Sequence, residues 1–120
     1  GAIAILRALV QAEPENLETS RALAVSLSGL GSARLRLGDR EGARVALEQG
    51  LQGARALLQS DPRNPLYEGD LVAALVRLSS AVEPARGRAL LNEARRRTAR
   101  LVEGDAAIAA LAAEPGPTAE

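Results

Sequence analysis

An internal repeat is the feature that most constrains the fold of this 120-residue chain. When the sequence is aligned with itself at a shift of 48 residues, Pro14 falls on Pro62. The other pairs that match at this shift include Ala8 and Ala56, Leu9 and Leu57, Asn16 and Asn64, Leu23 and Leu71, Leu27 and Leu75, and Leu30 and Leu78. Further along the chain the shift is 44, so that Leu47 falls on Leu91. Because a surface turn tolerates a change in length, we predict a loop where the shift changes.

Within each copy of the repeat, the apolar residues recur every three or four positions, which is the spacing of one face of an α-helix. The hydrophobic residues are mostly Ala, Leu and Val, and aromatic residues make up only 1% of the chain. Ala and Leu are strong helix formers, whereas the β-branched and aromatic residues that favour strands are scarce. We therefore predict an all-α fold in which each copy contributes two amphipathic helices.

The turn residues divide this pattern into helices. Gly38 and Asp39 are expected to end one helix and cap the next, and Asn64 is expected to cap a helix that opens at Pro65. The corresponding shortened turn of the second copy lies at Pro84. The predicted helices are residues 3–13, 17–37, 40–60, 65–82 and 84–103, with a short sixth helix at residues 106–113.

These helices define the expected domain organisation. A helical domain spans residues 1–113, with two helix pairs at residues 16–60 (the first copy) and 64–104 (the second copy) and flanking helices. Residues 114–120 contain two Pro and no apolar side chain larger than Ala, so they are predicted to be a disordered tail or a linker. Since the chain starts at Gly1 without a Met, we expect it to be part of a longer protein.

The small and large positions of the first copy resemble those of a tetratricopeptide helix pair. The positions concerned are Leu30-Gly31, Gly38-Asp39, Gly42-Ala43, Leu47 and Gly50-Leu51. In such a pair, small residues let the two helices approach closely while leucines fill the space between them. The resemblance implies a right-handed stack of antiparallel helix pairs, a TPR-like α-solenoid.

The chain departs from the common tetratricopeptide pattern at three positions. The second helix continues past Arg55, where a proline is usual, which is similar to the extended repeats of kinesin light chains and of some bacterial arrays. Arg34 occupies the usual aromatic position, and the second copy has Ser79 where the first has Gly31.

Catalytic chemistry finds little support in the composition. The chain has no His and no Cys, the residue types on which nucleophilic triads, metal sites and acid–base catalysis most often depend. The carboxylates fit solvated helix faces, and no Gly-rich phosphate loop is present. We therefore expect no enzymatic activity, no cofactor, no metal and no small-molecule substrate.

Nucleic acids and membranes are also unexpected partners. The formal net charge is zero, and no apolar run reaches the roughly 20 residues that span a bilayer. Six arginines are concentrated in the last long helix: Arg86, Arg88, Arg95, Arg96, Arg97 and Arg100. Helical geometry spreads them over two flanks, and Glu93 is expected to pair with Arg97 one turn later. The expected location is cytoplasmic.

The tetratricopeptide resemblance implies that the first helices of successive pairs line a groove for an extended or helical peptide of another protein. The residues predicted to face this groove are Arg21, Val25, Ser28, Ser32, Leu35, Arg36, Val72, Val76 and Ser80. Of these, Arg21 and Arg36 are expected to pair with acidic groups of the partner. A simpler interpretation is that these residues only pack against a neighbouring helix of the parent protein.

Self-assembly is the alternative function. Apolar residues near both ends of the helical array have no obvious cover and would form a homo-oligomeric contact. The candidates for this contact are Ile5, Leu9, Ile108 and Leu111.

Overall fold

Five α-helices account for the part of the chain that the structure describes. The structure is a computed structural model, and it describes residues 1–113 except for the side chains of residues 106–109, 112 and 113. The helices are α1 (Ala2–Ala12), α2 (Leu17–Arg36), α3 (Arg40–Ser60), α4 (Pro65–Ser79) and α5 (Pro84–Ala113). Each helix packs against the next in sequence, and α2 also contacts α4. The predicted all-α class is confirmed, and the tail predicted at residues 114–120 lies outside the described residues.

The helix ends follow the predicted cap residues. The Asp39 side chain accepts a hydrogen bond from the Gly42 amide at 2.9 Å, and the Asn64 side chain accepts one from the Leu66 amide at 3.0 Å. Gly38, just before the first of these caps, has a φ of +85°, a backbone conformation that only Gly adopts readily. These side chains satisfy amide donors that have no partner within the helix, so they determine where α3 and α4 begin.

Two predicted boundaries were wrong. The expected sixth helix is the continuation of α5, because Gly104 does not take a positive φ and the helix continues through it. A helix-interior glycine costs about 1 kcal/mol relative to Ala but does not by itself end a helix. In addition, α4 ends at Ser79 instead of residue 82, because Ala81 and Val82 turn inward and are buried.

The contact between α2 and α3 is a close one that depends on two glycines. A Cβ atom placed on Gly31 would lie 2.6 Å from Leu47 Cδ2, and one on Gly50 would lie 2.6 Å from Ser28 Oγ. Any side chain at either glycine would therefore overlap the facing helix. The predicted close approach at these small residues is confirmed, and it brings Leu47 into a fully buried position with 1% of its surface exposed.

The contact between α4 and α5 also depends on a glycine, but here the glycine belongs to the second helix of the pair, α5. The repeat places Ser79 at the position of Gly31 and Gly87 at the position of Ala43. A Cβ atom on Gly87 would lie 2.9 Å from the Ser79 carbonyl oxygen. The second copy therefore compensates for its serine by carrying the glycine on the partner helix.

The main core lies where α3, α4 and α5 meet. Its largest fully buried side chains are Leu47, Leu71, Leu75 and Leu78. A smaller cluster, formed by Ala24, Leu57 and Tyr67, joins α2 and α3 to the start of α4. The helices contribute Ala and Leu at nearly every core position, which explains how the chain fills its interior with a single aromatic residue. Within the described residues, none of the helices is both long enough and apolar enough to cross a bilayer.

The glycine contact predicts opposite effects for two neighbouring substitutions in α2. Gly31→Ala should lower the free energy of unfolding by about 1–3 kcal/mol, because its methyl group meets the immobile Leu47 side chain. Gly29→Ala is the matched control, since a Cβ atom there has no neighbour within 4 Å, and it should raise stability by up to about 1 kcal/mol. Urea denaturation followed by circular dichroism measures both. Equal stability of the two variants would contradict the contact.

Candidate functional site

The candidate site is a groove between α2 and α4, which we call the α2–α4 groove. It consists of two depressions that share Arg77 in their linings. The first, with a volume of about 140 Å³, lies beside Arg21 and reaches down to α3. The second, of about 390 Å³, lies near the carboxyl ends of both helices. Its lining consists of Ser32, Leu35, Arg36, Val76, Arg77 and Ser80.

Eight of the nine residues predicted for the groove line one of these depressions. Arg21, Val25 and Ser28 line the first, whereas Ser32, Leu35, Arg36, Val76 and Ser80 line the second. Val72 lines neither depression, and its partly buried side chain packs against the main core. Ser28 is only 5% exposed and lies on the floor of the groove, where its hydroxyl faces Gly50. It contributes shape to the groove and little accessible surface.

Arg21 is engaged within the chain. Its Nε and Nη2 atoms donate hydrogen bonds to the two Asp70 carboxylate oxygens at 2.7 and 3.2 Å. Asp70 raises the pKa of Arg21 by accepting these bonds. This ion pair ties α2 to α4, so the expected role of Arg21 in binding an acidic partner is replaced by a bond across the groove.

Asp70 was not predicted as a partner of Arg21. The sequence does contain an indication of this pair, because Asp70 follows Arg21 by 49 residues, one more than the repeat shift of 48. Because α2 contacts α4, a cation and an acid separated by about one repeat are candidates for an ion pair between these helices.

The remaining positive charge of the groove is at its carboxyl end. Among the described residues, neither Arg36 nor Arg77 makes an ion pair, and both are exposed beside the apolar side chains of Leu35 and Val76. This depression therefore combines two guanidinium groups with a short apolar floor. Such a surface favours a partner segment that carries both an acidic and an aliphatic group.

Outside the groove, a four-residue ion-pair network joins α3, α4 and α5. Glu93 accepts two hydrogen bonds from Arg55 at 2.8 Å and one from Arg97 at 2.9 Å. Arg97 also reaches Glu68 of α4 at 3.0 Å. The bonds from Arg55, followed by those from Arg97, lower the pKa of Glu93 from 4.5 to about 2. The predicted pair of Glu93 and Arg97 is confirmed, and the other two members were not foreseen.

A second ion-pair network connects Arg86, near the start of α5, to α3. Arg86 donates a hydrogen bond to Glu48 of α3, and Arg44 donates to the same carboxylate at 2.9 Å. Arg86 lowers the pKa of Glu48 by this bond. Two of the six arginines in α5 are thus paired with acids, which agrees with the expectation that they do not form one basic patch.

One contact between helices recurs at the spacing of the repeat. Arg7 of α1 donates a hydrogen bond to Gln49 of α3 at 2.7 Å. The repeat shifts map these two residues onto Arg55 and Glu93, which also meet across two helices. Side chains at equivalent positions of the repeat therefore connect α1 to α3 and α3 to α5.

The self-assembly candidates are exposed where the structure describes them. Ile5 is 63% exposed, Leu9 is 49% exposed and Leu111 is 70% exposed. The side chain of Ile108 lies outside the described residues. Ile5 and Leu9 occupy the positions equivalent to Gly53 and Leu57, and Leu57 is buried under α2.

Comparison with models of known protein families, with curated proteins and with solved structures gave no match to this chain. Within the part of the chain that the structure describes, no three acidic side chains converge in a way that would hold a metal ion. The description of the site therefore depends on its own geometry.

The lowered pKa of Glu93 predicts a defined loss of stability in acid. A carboxylate whose pKa is lower in the folded state stabilises the fold above its unfolded value, and this contribution disappears as the pH falls toward the folded value. Glu93→Gln should therefore lower the free energy of unfolding at pH 7 by about 1–2 kcal/mol. The difference from the wild type should shrink as the pH falls from about 5 to about 2.

Urea denaturation at a series of pH values measures this difference. Glu15→Gln is the matched control, because Glu15 is exposed and makes no ion pair with any described residue. A difference between E93Q and the wild type that stays constant over this range would show that the ion pairs do not set the acid sensitivity.

Proposed function

We propose that this protein is a protein-binding scaffold whose α2–α4 groove holds a segment of another polypeptide. In this proposal the helices form a tetratricopeptide-like stack, with α2 and α4 as the first helices of two pairs and α3 and α5 as the second. No chemical reaction is assigned to the chain. The bound segment would be short and extended or helical, with an acidic group near Arg36 and Arg77.

The observation that carries this proposal is the convergence of the predicted groove residues. Ser32 and Ser80 are one repeat apart in sequence, and both line the depression at the carboxyl ends of α2 and α4. Their small side chains leave the groove open, while Val76 supplies an apolar surface that is 44% exposed. A surface that is concave, partly apolar and lined by two arginines is suited to a peptide.

The recurring contacts support the stacked arrangement. The pairs of Arg7 with Gln49 and of Arg55 with Glu93 relate the helices by the repeat shifts. The close approach at Gly31 has its counterpart at Gly87. In a repeat array each unit contacts only its neighbours through equivalent surfaces, and this is the pattern that such pairs produce.

Filling the groove tests the proposal. Peptides that bind the wild-type protein are selected from a displayed random library, and their affinities are measured by fluorescence anisotropy. The double variant Ser32→Trp with Ser80→Trp should weaken binding by about tenfold or more, because the two rings occupy the depression. Circular dichroism verifies that the variant remains folded.

The matched control is the double variant Ala22→Trp with Ala99→Trp, since both alanines are exposed and lie outside the groove. It should bind the selected peptides as the wild type does. Undiminished binding by the Ser32 and Ser80 variant, or failure to select any peptide, would contradict the groove proposal.

Self-assembly through α1 is the second candidate function. The exposed pair Ile5 and Leu9 favours it, because the equivalent residue Leu57 is covered by a neighbouring helix. The far end of the array is less suited, since exposed Arg95 and Thr98 stand at the positions equivalent to the buried Leu51 and Ala54. We therefore assign any homo-oligomeric contact to the α1 face.

Light scattering across a concentration series tests this assignment. If α1 mediates assembly, the mass of the wild type should rise with concentration, and Ile5→Glu with Leu9→Glu should give a monomer at all concentrations. Leu37→Glu is the control, because Leu37 is 85% exposed and lies away from α1. A wild type that stays monomeric, or an oligomer that the α1 variant leaves unchanged, would rule out assembly through this face.

A further inference from the structure

A separate apolar cleft lies between α1, α2 and α3. It has a volume of about 270 Å³ and is walled by aliphatic side chains from all three helices. These include Val10, Leu17, Leu23, Leu27 and Leu57. The lining contains no charged side chain, and its polar members are Ser20, Gln49 and Ser60. The Gln49 side-chain oxygen accepts a hydrogen bond from Arg7.

The second copy of the repeat provides an internal comparison for this cleft. Pro14 and Leu23 line the cleft, and the equivalent residues Pro62 and Leu71 line a depression among α3, α4 and α5. The two places are therefore the same position in successive repeat units. What differs is the set of side chains that occupies each place.

In the second copy, that position holds an ion pair. Arg97 lines the depression and donates to Glu68 at 3.0 Å. The repeat maps Arg97 onto Gly53 and Glu68 onto Ser20, and both of these smaller residues line the cleft. The first copy thus lacks both the guanidinium side chain and its carboxylate partner. The depression of the second copy, of about 350 Å³, therefore has a charged lining, whereas the cleft of the first copy has an uncharged and largely aliphatic one.

The properties of this space determine what it accepts. A charged group would lose its hydration on entry and would find no partner of opposite charge in the lining, so a charged ligand is disfavoured. An uncharged apolar molecule would displace weakly held water from aliphatic surface, which is favourable. A cavity of roughly 150 Å³ is known to hold benzene, so 270 Å³ corresponds to a molecule of about two rings.

We infer that the cleft between α1, α2 and α3 is a binding site for a small, uncharged apolar molecule of about two rings. It is distinct from the α2–α4 groove. The two linings have Ala24 and Leu57 in common, whereas Ser20 lines the cleft alone, so a substitution at Ser20 alters the cleft without replacing a residue of the groove.

Binding of prodan, an uncharged two-ring naphthalene fluorophore, tests the inference. Its emission shifts to shorter wavelength in apolar surroundings, so a titration reports both affinity and stoichiometry. The wild type should bind it saturably, with one molecule per chain. Two variants fill the cleft: Ser20→Phe adds a ring from the half-buried rim, and Ser20→Glu with Gly53→Arg rebuilds the ion pair of the second copy. Each should weaken binding by about tenfold or more.

Gly53 faces Ala24 closely, with 2.9 Å between the Ala24 Cβ atom and a Cβ atom placed on the glycine. Should the double variant fail to fold, Ser20→Phe decides the question, with its folding verified by circular dichroism. Gly29→Arg is the matched control for the added arginine, because this position is open to solvent. It should bind prodan as the wild type does.

Ile5→Glu with Leu9→Glu is the control for adsorption to the exposed α1 face, and it should also leave binding unchanged. The inference is overturned if the wild type shows no saturable binding. It is equally overturned if the folded Ser20→Phe variant binds prodan as tightly as the wild type, or if the α1 variant abolishes binding. These outcomes are independent of whether a peptide binds in the α2–α4 groove.

Discussion

The close approach of α2 and α3 is the constraint on which the rest of the structure depends. Gly31 and Gly50 remove two side chains from the contact, so that Leu47 and Ser28 fill the space against the facing backbone. At this separation of the two helices, α3 places Leu47, Leu51 and Ala54 against α4 and α5. The main core forms there, and it brings α4 alongside α2. A looser contact would leave Leu47 partly solvated and would widen the groove, because packed helices transmit such shifts through the interior.

The two copies of the repeat use one framework for different purposes. In the first copy, Gly53 and Ser20 leave an open apolar cleft, whereas in the second copy Arg97 and Glu68 bring an ion pair to the same position. Among the described residues, four ion pairs join different helices: Arg21 with Asp70, Arg55 with Glu93, Arg86 with Glu48 and Arg97 with Glu68. Arg36 and Arg77 line the groove without an ion pair to any described residue, so their guanidinium groups are available to an acidic group on the surface that we propose as the peptide site.

Much of this arrangement could be predicted from the sequence, and the failures have specific causes. Helix caps such as Asn64 were predictable because they depend on neighbours within four residues. The continuation of α5 through Gly104 was not, because the cost of one helical glycine is small. Val72 and Ser28 were assigned to the open groove, yet one packs on the core and the other is buried. A small rotation of a helix about its axis is enough to move a side chain from the surface into a contact with a neighbouring helix.

The sequence by itself determined the all-α class, the repeat and the close contact at Gly31, because these follow from local propensity and from the spacing of small and apolar residues. Only the tertiary structure decided which charges meet. Asp70 forms an ion pair with Arg21, and Glu93 forms ion pairs with both Arg55 and Arg97. Only the tertiary structure also showed an uncharged cleft in one copy at the position where the other copy has an ion pair. The physical reason is that ion pairs and cavities depend on the distances between helices. Side-chain packing sets these distances, and they cannot be read from the periodicity of a single helix.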